Sequence, residues 1–568
     1  MKSILLTAVI LLISARDTRP QQMGDSYALN INNIYLPVNN MGVLAEVNFP
    51  PLGQGGQFGG HTFLFSGGFF LSGLKNGELW ANGVASSSLV KDYLPGTYST
   101  GQIWSAQIYK IRSDDPPFDL SWQNWTDAVN LGADFYDGDG DGVYSPVDLN
   151  SNGKWDPDED RPDLIGDEML WCVYYDALPA AQRYWQVDPQ GIEIRQTVFA
   201  YSNIPSLENI IFIRYRIKYV WSYPEYLDSV YFTIWDDPDL GNSIDDLVGC
   251  DTLLQGGFVS NDGPDDIYGS NPPAFFEAAL GGPRVYIPGE TFIDENGNGI
   301  YDPGETPLDT AFVNRGPLLG VLKYPGAKNQ SLSSAINYYN GNPALNDPDN
   351  KEQARNYMLG LNKTGNVVDP CTWPYGHVQG GVDCSEVNPF FWFSGDPVQN
   401  YGWINSAPGD QRQLQNIGPF QLKFDEQYDV FVAYSIGQGT DALTSVLESK
   451  NIAAIAQTLY NSNFDTSTVT TVKEPRDGDI PEDFFLSQNY PNPFNPGTKI
   501  QYALSSRQFV SLKVYDILGN EIETLVNEEK PAGSYEVKFN GSELPSGVYF
   551  YQLKAGSFIE TKKMILLR

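Results

Sequence analysis

Three short acidic segments carry the side chains with the clearest chemical purpose in this 568-residue chain. Residues 137–148, 148–159 and 294–305 each place Asp, Asn or Ser oxygens at positions 1, 3, 5 and 9 of twelve, with an acidic residue at position 12. Glycine at position 6 permits a sharp turn. Ca²⁺ is a hard cation that takes six to eight oxygen ligands, including a backbone carbonyl at position 7. The spacing therefore predicts three calcium loops, here called loops I, II and III.

The predicted ligands follow directly from this spacing. Loop I uses the side chains of Asp137, Asp139, Asp141, Ser145 and Asp148 and the carbonyl of Val143. Loop II uses the side chains of Asp148, Asn150, Asn152, Asp156 and Glu159 and the carbonyl of Lys154. Loop III uses the side chains of Asp294, Asn296, Asn298, Asp302 and Glu305 and the carbonyl of Ile300. Asp148 is thus predicted to close loop I and to open loop II.

The three loops resemble the calcium loops of EF-hands, dockerins and thrombospondin type 3 repeats. Proline at position 10 of each loop disfavours the helix that follows an EF-hand loop, so only the loop conformation is expected to be shared. The aromatic residue at position 8 (Tyr144, Trp155 or Tyr301) is predicted to pin each loop onto neighbouring elements. Solvated turns without metal are the alternative interpretation.

A fourth acidic stretch follows an alternating segment at 230–235 and includes Asp236, Asp237, Asp239, Asp245 and Asp246. Carboxylates at a strand end can form a solvated loop, hold another calcium ion, or act as the acid and base of a glycosidase. Their spacing alone leaves these three interpretations open.

The inventory of other catalytic residues is small. His61 and His377 are the two histidines of the chain, which excludes a His-rich zinc site and an H-E-x-x-H protease. Both histidines are predicted to be structural. No nucleophile elbow or phosphate-binding loop motif occurs in the sequence. A hydrolase that uses a carboxylate pair stays open as the alternative, because it needs two of the 70 acidic residues.

The elements that must position these residues are mostly strands. Alternation of apolar and polar residues over 192–201, 211–219 and 229–235 predicts neighbouring antiparallel strands. A core-packing helix is predicted over 443–460. The segment 316–397 is predicted to be irregular surface structure, whose aromatic residues serve either as core or as sugar-stacking platforms. The β-rich body is assigned to 24–465, with a division into subdomains at 24–190 and 191–465 considered.

Composition limits the environment and the partners. The chain has 70 acidic and 35 basic residues, a net charge of −35, which excludes nucleic acid and makes anionic membranes poor partners. Calcium is the natural counter-ion. Of the four cysteines, Cys371 and Cys384 flank a short Gly-rich segment and could pair, whereas Cys172 and Cys250 either pair or stay buried thiols.

The N-terminal residues predict export. A basic start, an apolar run over 4–13 and the small residues Ser14 and Ala15 have the layout of a signal peptide at 1–15. No later segment approaches a membrane-spanning helix in length and apolarity. The expected route is therefore across the inner membrane into the periplasm.

The last residues point to a second export step. The phrase QNYPNPFNP at 488–496, LKVYDILG at 512–519 and the ending KKMILLR at 562–568 are accompanied by Gly or Pro turns. Apolar residues alternate at 510, 512 and 514, at 535, 537 and 539, and at 548 and 550, which predicts strands of a small antiparallel sandwich. Residues 483–568, after a polar linker at 466–482, resemble a type A C-terminal sorting domain of the type IX secretion system with a FlgD-like immunoglobulin fold. The resemblance implies recognition at the outer membrane and, usually, cleavage. A spacer without a sorting role is the alternative.

The sequence thus predicts a mainly β chain, a multidomain antiparallel β-sandwich architecture with calcium-binding loops and a C-terminal Ig-like sandwich. We expect a secreted or cell-surface protein with an adhesive, structural or binding role; a secreted carbohydrate-active hydrolase is the alternative. The expected partners are the type IX secretion machinery and surface polysaccharide or other cell-surface components. Exposed strand edges leave self-assembly open as well.

Overall fold

The computed structural model describes two compact units. Its described residues are 25–47, 55–85, 90–101, 106–339, 342–470 and, with single residues and short stretches left out, 484–566. One unit, the body, extends to Val469, and the second, the tail, starts at Thr470. The predicted signal peptide and the part of the predicted linker from residue 471 onward lie outside the described residues.

The body is built mainly from strands. Its first strands are β1 Ser26–Leu29, β2 Ile34–Asn39, β3 Gly56–Phe58, β4 His61–Lys75, β5 Glu78–Ala85, β6 Val90–Lys91, β7 Leu94–Pro95, β8 Tyr109–Arg112, β9 Phe135–Tyr136, β10 Arg161–Pro162, β11 Glu168–Tyr175, β12 Ile192–Ala200, β13 Ile210–Tyr219 and β14 Tyr226–Pro238. They are followed by β15 Asp246–Asp251, β16 Gly256–Asn261, β17 Ala274–Gly281, β18 Arg284–Val285, β19 Phe292–Ile293, β20 Thr306–Pro307, β21 Thr310–Asn314, β22 Val321–Pro325, β23 Lys328–Asn329, β24 Leu332–Tyr339, β25 Gly376–Gln379, β26 Gly402–Asn405, β27 Gln411–Lys423 and β28 Gln427–Gly437.

Helices are few and mostly short. The α-helices are α1 Leu120–Asn130, α2 Gly316–Leu319, α3 Lys351–Met358, α4 Ala442–Asn461 and α5 Ser467–Thr470. Single 3₁₀ turns occur at Ala180–Gln182, Pro205–Leu207, Ser243–Asp245 and Cys384–Glu386. Among the described residues, none of these helices is both long and apolar enough to cross a membrane.

Two large antiparallel sheets form the body. Sheet 1 has the strand order β1-β2-β3-β4-β14-β27-β24, with β5 attached to β4 and β6 attached to β5. Sheet 2 has the order β15-β16-β17-β28-β13-β12-β11-β7, with β8 beside β11. The prediction of a mainly β, antiparallel, sandwich-like protein is therefore confirmed.

The main core lies between the two sheets. On β13 the odd-numbered residues Ile211, Ile213 and Tyr215 face sheet 1, as the alternation predicts. The Tyr215 ring lies 5.5 Å from Phe69 and 5.3 Å from Phe232, both on sheet 1. Interdigitation of apolar side chains from two inner faces is the usual way in which a sandwich buries its sheets.

A second core covers the outer face of sheet 2. Helix α4 packs there with Val446, Ala456 and Leu459 buried, so the prediction of a core-packing helix is confirmed. Leu443 and Leu447, also expected on the buried face, are instead exposed. The side chain of Asp441 caps the helix by accepting a hydrogen bond from Thr444 N, which sets the helix start one residue before the predicted one.

Two predictions about strand placement were wrong. The segment 229–235 belongs to β14 in sheet 1, whereas β12 and β13 pair in sheet 2, because β13 has β28 as its other neighbour. The segment 332–339, expected to be irregular, is strand β24 at the edge of sheet 1. Its buried Ser334 and Asn337 hide the apolar alternation in the sequence.

The considered boundary near residue 190 does not divide the body. Strands β11 and β12 lie on either side of it and pair over their whole length in sheet 2.

Glycine allows a close approach in sheet 1, where a Cβ on Gly68 would lie 1.9 Å from the carbonyl oxygen of Val84. This close contact agrees with the Gly- and Phe-rich sequence around it.

The tail is a separate small sandwich. Its strands are β29 Phe485–Leu486, β30 Gly497–Leu504, β31 Gln508–Tyr515, β32 Glu521–Lys530, β33 Gly533–Asn540, β34 Gly547–Ala555 and β35 Phe558–Leu566, in sheets ordered β29-β30-β33 and β32-β31-β34-β35. Val510, Leu512 and Val514 face its core as predicted. On β34 the buried residues are Tyr549, Tyr551 and Leu553, so the predicted inward face at 548 and 550 was off by one residue.

The cysteines behave as the sequence allowed. Cys371 and Cys384 form a disulfide bond. Cys172 and Cys250 are free, buried thiols in sheet 2, and burial raises the pKa of both thiols well above the usual value. These two thiols are therefore expected to stay protonated and unreactive.

Candidate calcium loops and the acidic strand end

Short antiparallel ladders hold all three loops. Tyr136 of β9 pairs with Arg161 of β10 on either side of loops I and II, and β19 pairs with β20 on either side of loop III. No helix flanks the loops directly within these described stretches. The absence of a helix directly after each of these loops agrees with the proline at position 10.

The carboxylate at position 1 of each loop accepts hydrogen bonds from backbone N–H groups of the same loop. Asp148 accepts hydrogen bonds from Asn152 N and Gly153 N, at 3.1 and 2.7 Å. Asp294 does the same with Gly297 N, Asn298 N and Gly299 N. Asp137 accepts from Gly140 N and Gly142 N. This repeated arrangement curls each backbone around the carboxylate at position 1.

Side chains at positions 3, 5 and 9 converge on one point in loops II and III. In loop II the amide groups of Asn150 and Asn152 both donate to Asp156 Oδ2, at 2.8 and 2.7 Å. In loop III Asn296 and Asn298 both donate to Asp302 Oδ2, at 2.8 Å each, and these bonds hold the pKa of Asp302 below its usual value. The polar ends of all three side chains therefore meet inside each loop, which fits a shared cation.

Position 12 closes loops II and III in the same way. Glu159 accepts from Leu149 N and Asp156 N, and Glu305 accepts from Glu295 N and Asp302 N, all between 2.7 and 3.1 Å. Both glutamates are buried although most of each loop is exposed. Each carboxylate thus ties the start of its loop to its end.

Loop I is closed by a residue that the spacing did not predict. Asp160 accepts from Gly138 N at 2.9 Å and from Ser145 N at 2.8 Å, the same two loop positions that Glu159 and Glu305 serve. Asp137, Asp139 and Asp160 each bring one carboxylate oxygen within 4.8 Å of the others. Asp148, expected to close loop I, instead has both oxygens bonded within loop II.

The signal for Asp160 is present in the sequence. Two consecutive loops end in two consecutive acidic residues, Glu159 and Asp160, so each loop has its own closing carboxylate. Asp141 accepts a hydrogen bond from Val143 N and is not part of the three-carboxylate group. At position 7, Val143, Lys154 and Ile300 all have exposed side chains.

The aromatic residue at position 8 anchors each loop as predicted. Tyr144 is buried, donates to Trp122 O and packs against Phe135. Trp155 packs edge-on against Tyr136 of β9 at 5.6 Å. Tyr301 stacks on Tyr286 at 5.8 Å. Besides the flanking ladders, one aromatic residue thus fixes each loop to a neighbouring element.

The acidic strand end at β14 is largely buried, so the solvated-loop interpretation is wrong for its main carboxylates. Asp236, Asp237 and Asp246 are at most 3% exposed. Asp236 accepts from Tyr434 OH at 2.6 Å and faces Glu277 of sheet 2; burial raises the pKa of Asp236 to about 7 and that of Glu277 well above its usual range. This pair therefore holds a proton between the sheets.

A second group at the same strand end contains a residue from far along the chain. Asp237, Asp239 and Asp410 each bring one carboxylate oxygen within 4.8 Å of the others, and Arg412 pairs with Asp237 at 2.8 Å and with Asp410. Burial raises the pKa of Asp239 to about 6. Asp410 lies just before β27, and no sequence spacing could have linked it to Asp237.

Other proposed site residues are structural. Trp392, Phe393 and Trp403 are each 1% exposed, so they are core residues and not stacking platforms. His61 packs edge-on against Tyr268 at 5.2 Å, and His377 lies in β25, paired with Ile404. Neither histidine has a carboxylate or nucleophile partner in the described contacts.

The comparison with protein families places the tail. Residues 488–567 match the family model described as the secretion system C-terminal sorting domain. The chain therefore carries a type IX sorting domain, as the C-terminal motifs indicated, and such a domain directs export to the cell surface or the extracellular space.

Solved structures add little about the body. A polysaccharide lyase aligns over 95% of this chain with 6% identity and a TM-score of 0.25. PorZ, described as an essential surface component of the type IX secretion system of Porphyromonas gingivalis, aligns over 75% with 13% identity and a TM-score of 0.12. The chain spans about half the length of these structures, 47% and 48%, and no curated protein sequence matches it. Similarity this low carries no argument about function.

Proposed function

We propose that the exported protein is a calcium-stabilised β-sandwich with an adhesive, structural or binding role outside the cell. The observation that supports this proposal is the repeated hydrogen-bond pattern of the loops. In all three loops the carboxylate at position 1 accepts from backbone N–H groups of its own turn, and a buried acidic residue accepts from the N–H groups at positions 2 and 9. Every side chain at positions 1, 3, 5, 9 and 12 carries an oxygen atom, the type of ligand that Ca²⁺ requires.

A location outside the cell lowers the calcium affinity that the loops need. Extracellular calcium modules work with dissociation constants of roughly 10⁻⁴ to 10⁻³ M, so weak loops suffice where calcium is abundant. Loops II and III each have three carboxylates, at positions 1, 9 and 12. A chain with net charge −35 also gains from bound divalent cations because they reduce its self-repulsion.

A role without turnover agrees with the geometry of the acidic groups. Asp237, Asp239 and Asp410 form one three-membered group with one oxygen each within 4.8 Å of the others and with Arg412 paired to two of them, whereas glycosidases use two carboxyl groups that flank the scissile bond. Three of the aromatic residues that could have lined a sugar cleft, Trp392, Phe393 and Trp403, are buried in the core. We therefore favour binding over hydrolysis and take polysaccharide as the partner class to test first.

The experiment is a polysaccharide binding and hydrolysis screen on the purified protein, with calcium and with a chelator. The proposal predicts retention on at least one surface polysaccharide in calcium, loss of retention in the chelator, and no release of sugar fragments. Released fragments would overturn the binding role in favour of a hydrolase. Asp148→Asn and Asp294→Asn are expected to weaken retention on the polysaccharide if the loops bind the required calcium. The exposed Asp266→Asn is the control and should be retained like the parent.

A further inference from the structure

The acidic group at the end of β14 joins two neighbouring strands of sheet 1 that are far apart in the sequence. Asp237 is the penultimate residue of β14 and pairs with Ser66 of β4. Asp410 directly precedes β27, where Arg412 pairs with Tyr338 of the edge strand β24. Asp239 follows β14 and is fixed by a hydrogen bond from its N–H to Phe63 O at 3.1 Å. Four strands therefore position the three carboxylates independently of the calcium loops.

The charges in this group do not balance. Among the described ion pairs, the three carboxylates have one guanidinium as their cationic neighbour, that of Arg412, whose side chain is 12% exposed. The Asp237 side chain is 4% exposed, and its Oδ1 is buried without a hydrogen-bond partner. A buried carboxylate oxygen without a partner costs free energy, because water no longer solvates it. A cation beside Asp237 Oδ1 would offset this cost, and Arg412 makes no hydrogen bond to that oxygen.

We propose that Asp237, Asp239 and Asp410 bind a divalent cation at the end of β14. Asp237, Asp239 and Asp410 each bring one carboxylate oxygen within 4.8 Å of the others, so one Ca²⁺ ion can reach all three oxygens at the usual ligand distance of about 2.4 Å. Three carboxylates with one guanidinium carry a formal charge of −2, which a divalent cation neutralises. Oxygen ligands alone select a hard cation such as Ca²⁺.

The cation would fasten β14 to the start of β27. The Asp410 side chain is 29% exposed, so the group is open to solvent on one side and the ion can enter there. Water molecules complete the coordination on that side, as is common for hard cations. Because sheet 1 is one half of the sandwich, the cation stabilises the body itself and not only a surface loop.

The test counts calcium ions on the full-length protein after loading and gel filtration, by elemental analysis. Asp239→Asn and Asp410→Asn are each expected to lose one ion per chain relative to the parent, whereas the exposed Asp266→Asn keeps the parental number. A triple variant at the first position of each loop, Asp137→Asn, Asp148→Asn and Asp294→Asn, is expected to keep the ion at the end of β14.

The outcomes separate this site from the loops. Circular dichroism in a chelator checks that each variant folds. Asp410 is partly exposed, so Asp410→Asn is expected to fold even if Asp239→Asn does not. If both variants fold and keep the parental number of ions, the site does not exist, and Arg412 together with bound protons neutralises the group. If the triple variant keeps the parental number, the loops fail as calcium sites while the site at β14 stands.

Discussion

At the scale of single residues, Asp160 is the side chain on which loop I depends. It is buried and accepts from Gly138 N and Ser145 N, so it fixes both ends of the loop while its carboxylate stays next to Asp137 and Asp139. The backbone N–H groups orient it in the way that outer hydrogen bonds orient the ligands of metal sites in general.

Replacing Asp160 by Asn tests this assignment. The variant keeps the shape but loses the charge and one acceptor, so calorimetric titration should show one calcium ion fewer, or a drop in affinity of about 10-fold or more at one site, because outer-sphere and ligand changes cost about that much. The neighbouring Asp158→Asn, exposed and outside the three-carboxylate group, is the matched control. Equal titrations for the two variants would contradict the role of Asp160.

The buried pair Asp236 and Glu277 makes stability depend on pH. Burial raises the pKa of Asp236 to about 7, from about 4 in the unfolded chain. A folded-state pKa above the unfolded one means that this contribution is fully present below pH 4 and is lost as the pH rises towards 7, since the unfolded state releases the proton first.

Asp236→Asn is therefore expected to flatten the stability curve between pH 4 and 7. The amide keeps an oxygen for the hydrogen bond from Tyr434 OH and cannot ionise. Urea unfolding at several pH values measures the effect, with the exposed Asp228→Asn on the same strand as control. A variant that still loses stability over this interval as steeply as the parent would show that another group carries the dependence.

At the scale of elements, close approach in sheet 1 limits what can replace glycine. A Cβ on Gly68 would lie 1.9 Å from Val84 O, a backbone atom that cannot move without disturbing β5. Gly68→Ala should therefore lower the free energy of unfolding by about 1–3 kcal/mol or more, the usual cost of overpacking. Gly409→Ala, which would meet only an ordinary contact at 3.9 Å, should change it little. Similar urea midpoints for the two variants would refute the contact.

The sequence revealed individual elements better than their neighbours in the sheets. Strand β13 and helix α4 were predictable because each has a regular apolar period and clear ends. Strand β24 was missed because Ser334 and Asn337 are buried through hydrogen bonds, to Asn416 and Gln411, which periodicity does not register. The change of sheet between β13 and β14 was equally hidden, because both strands have the pattern of a sandwich interior.

In the loops, too, local features were predictable from the sequence and contacts between distant residues were not. Their ligand spacing is local and could be read directly, and so could the aromatic anchor at position 8. Asp160 was missed because its hydrogen bonds reach back over the whole of loop II, although the two consecutive acidic residues 159 and 160 were a signal for it in the sequence. Asp410 could not be found at all, since only the pairing of β14 with β27 brings it near Asp237.

At the scale of the whole molecule, the tail sets the destination of the body. Deleting residues 484–568 should leave the body folded, because the body and the tail are separate compact units, and should retain it in the periplasm. Cell fractionation with antibody detection measures this, and a foreign periplasmic carrier fused to residues 466–568 is the converse control. Normal appearance of the truncated protein outside the cell would contradict sorting by the tail.

The most direct measurement of the central claim is the melting temperature of the full-length protein in millimolar calcium and in excess chelator. A ligand that binds only the folded state stabilises it by about 2.7 kcal/mol per site at 100 times its Kd. We predict a melting temperature several degrees higher in calcium, and a smaller difference in the triple variant at Asp137, Asp148 and Asp294. Identical transitions in calcium and chelator would contradict a calcium-stabilised fold.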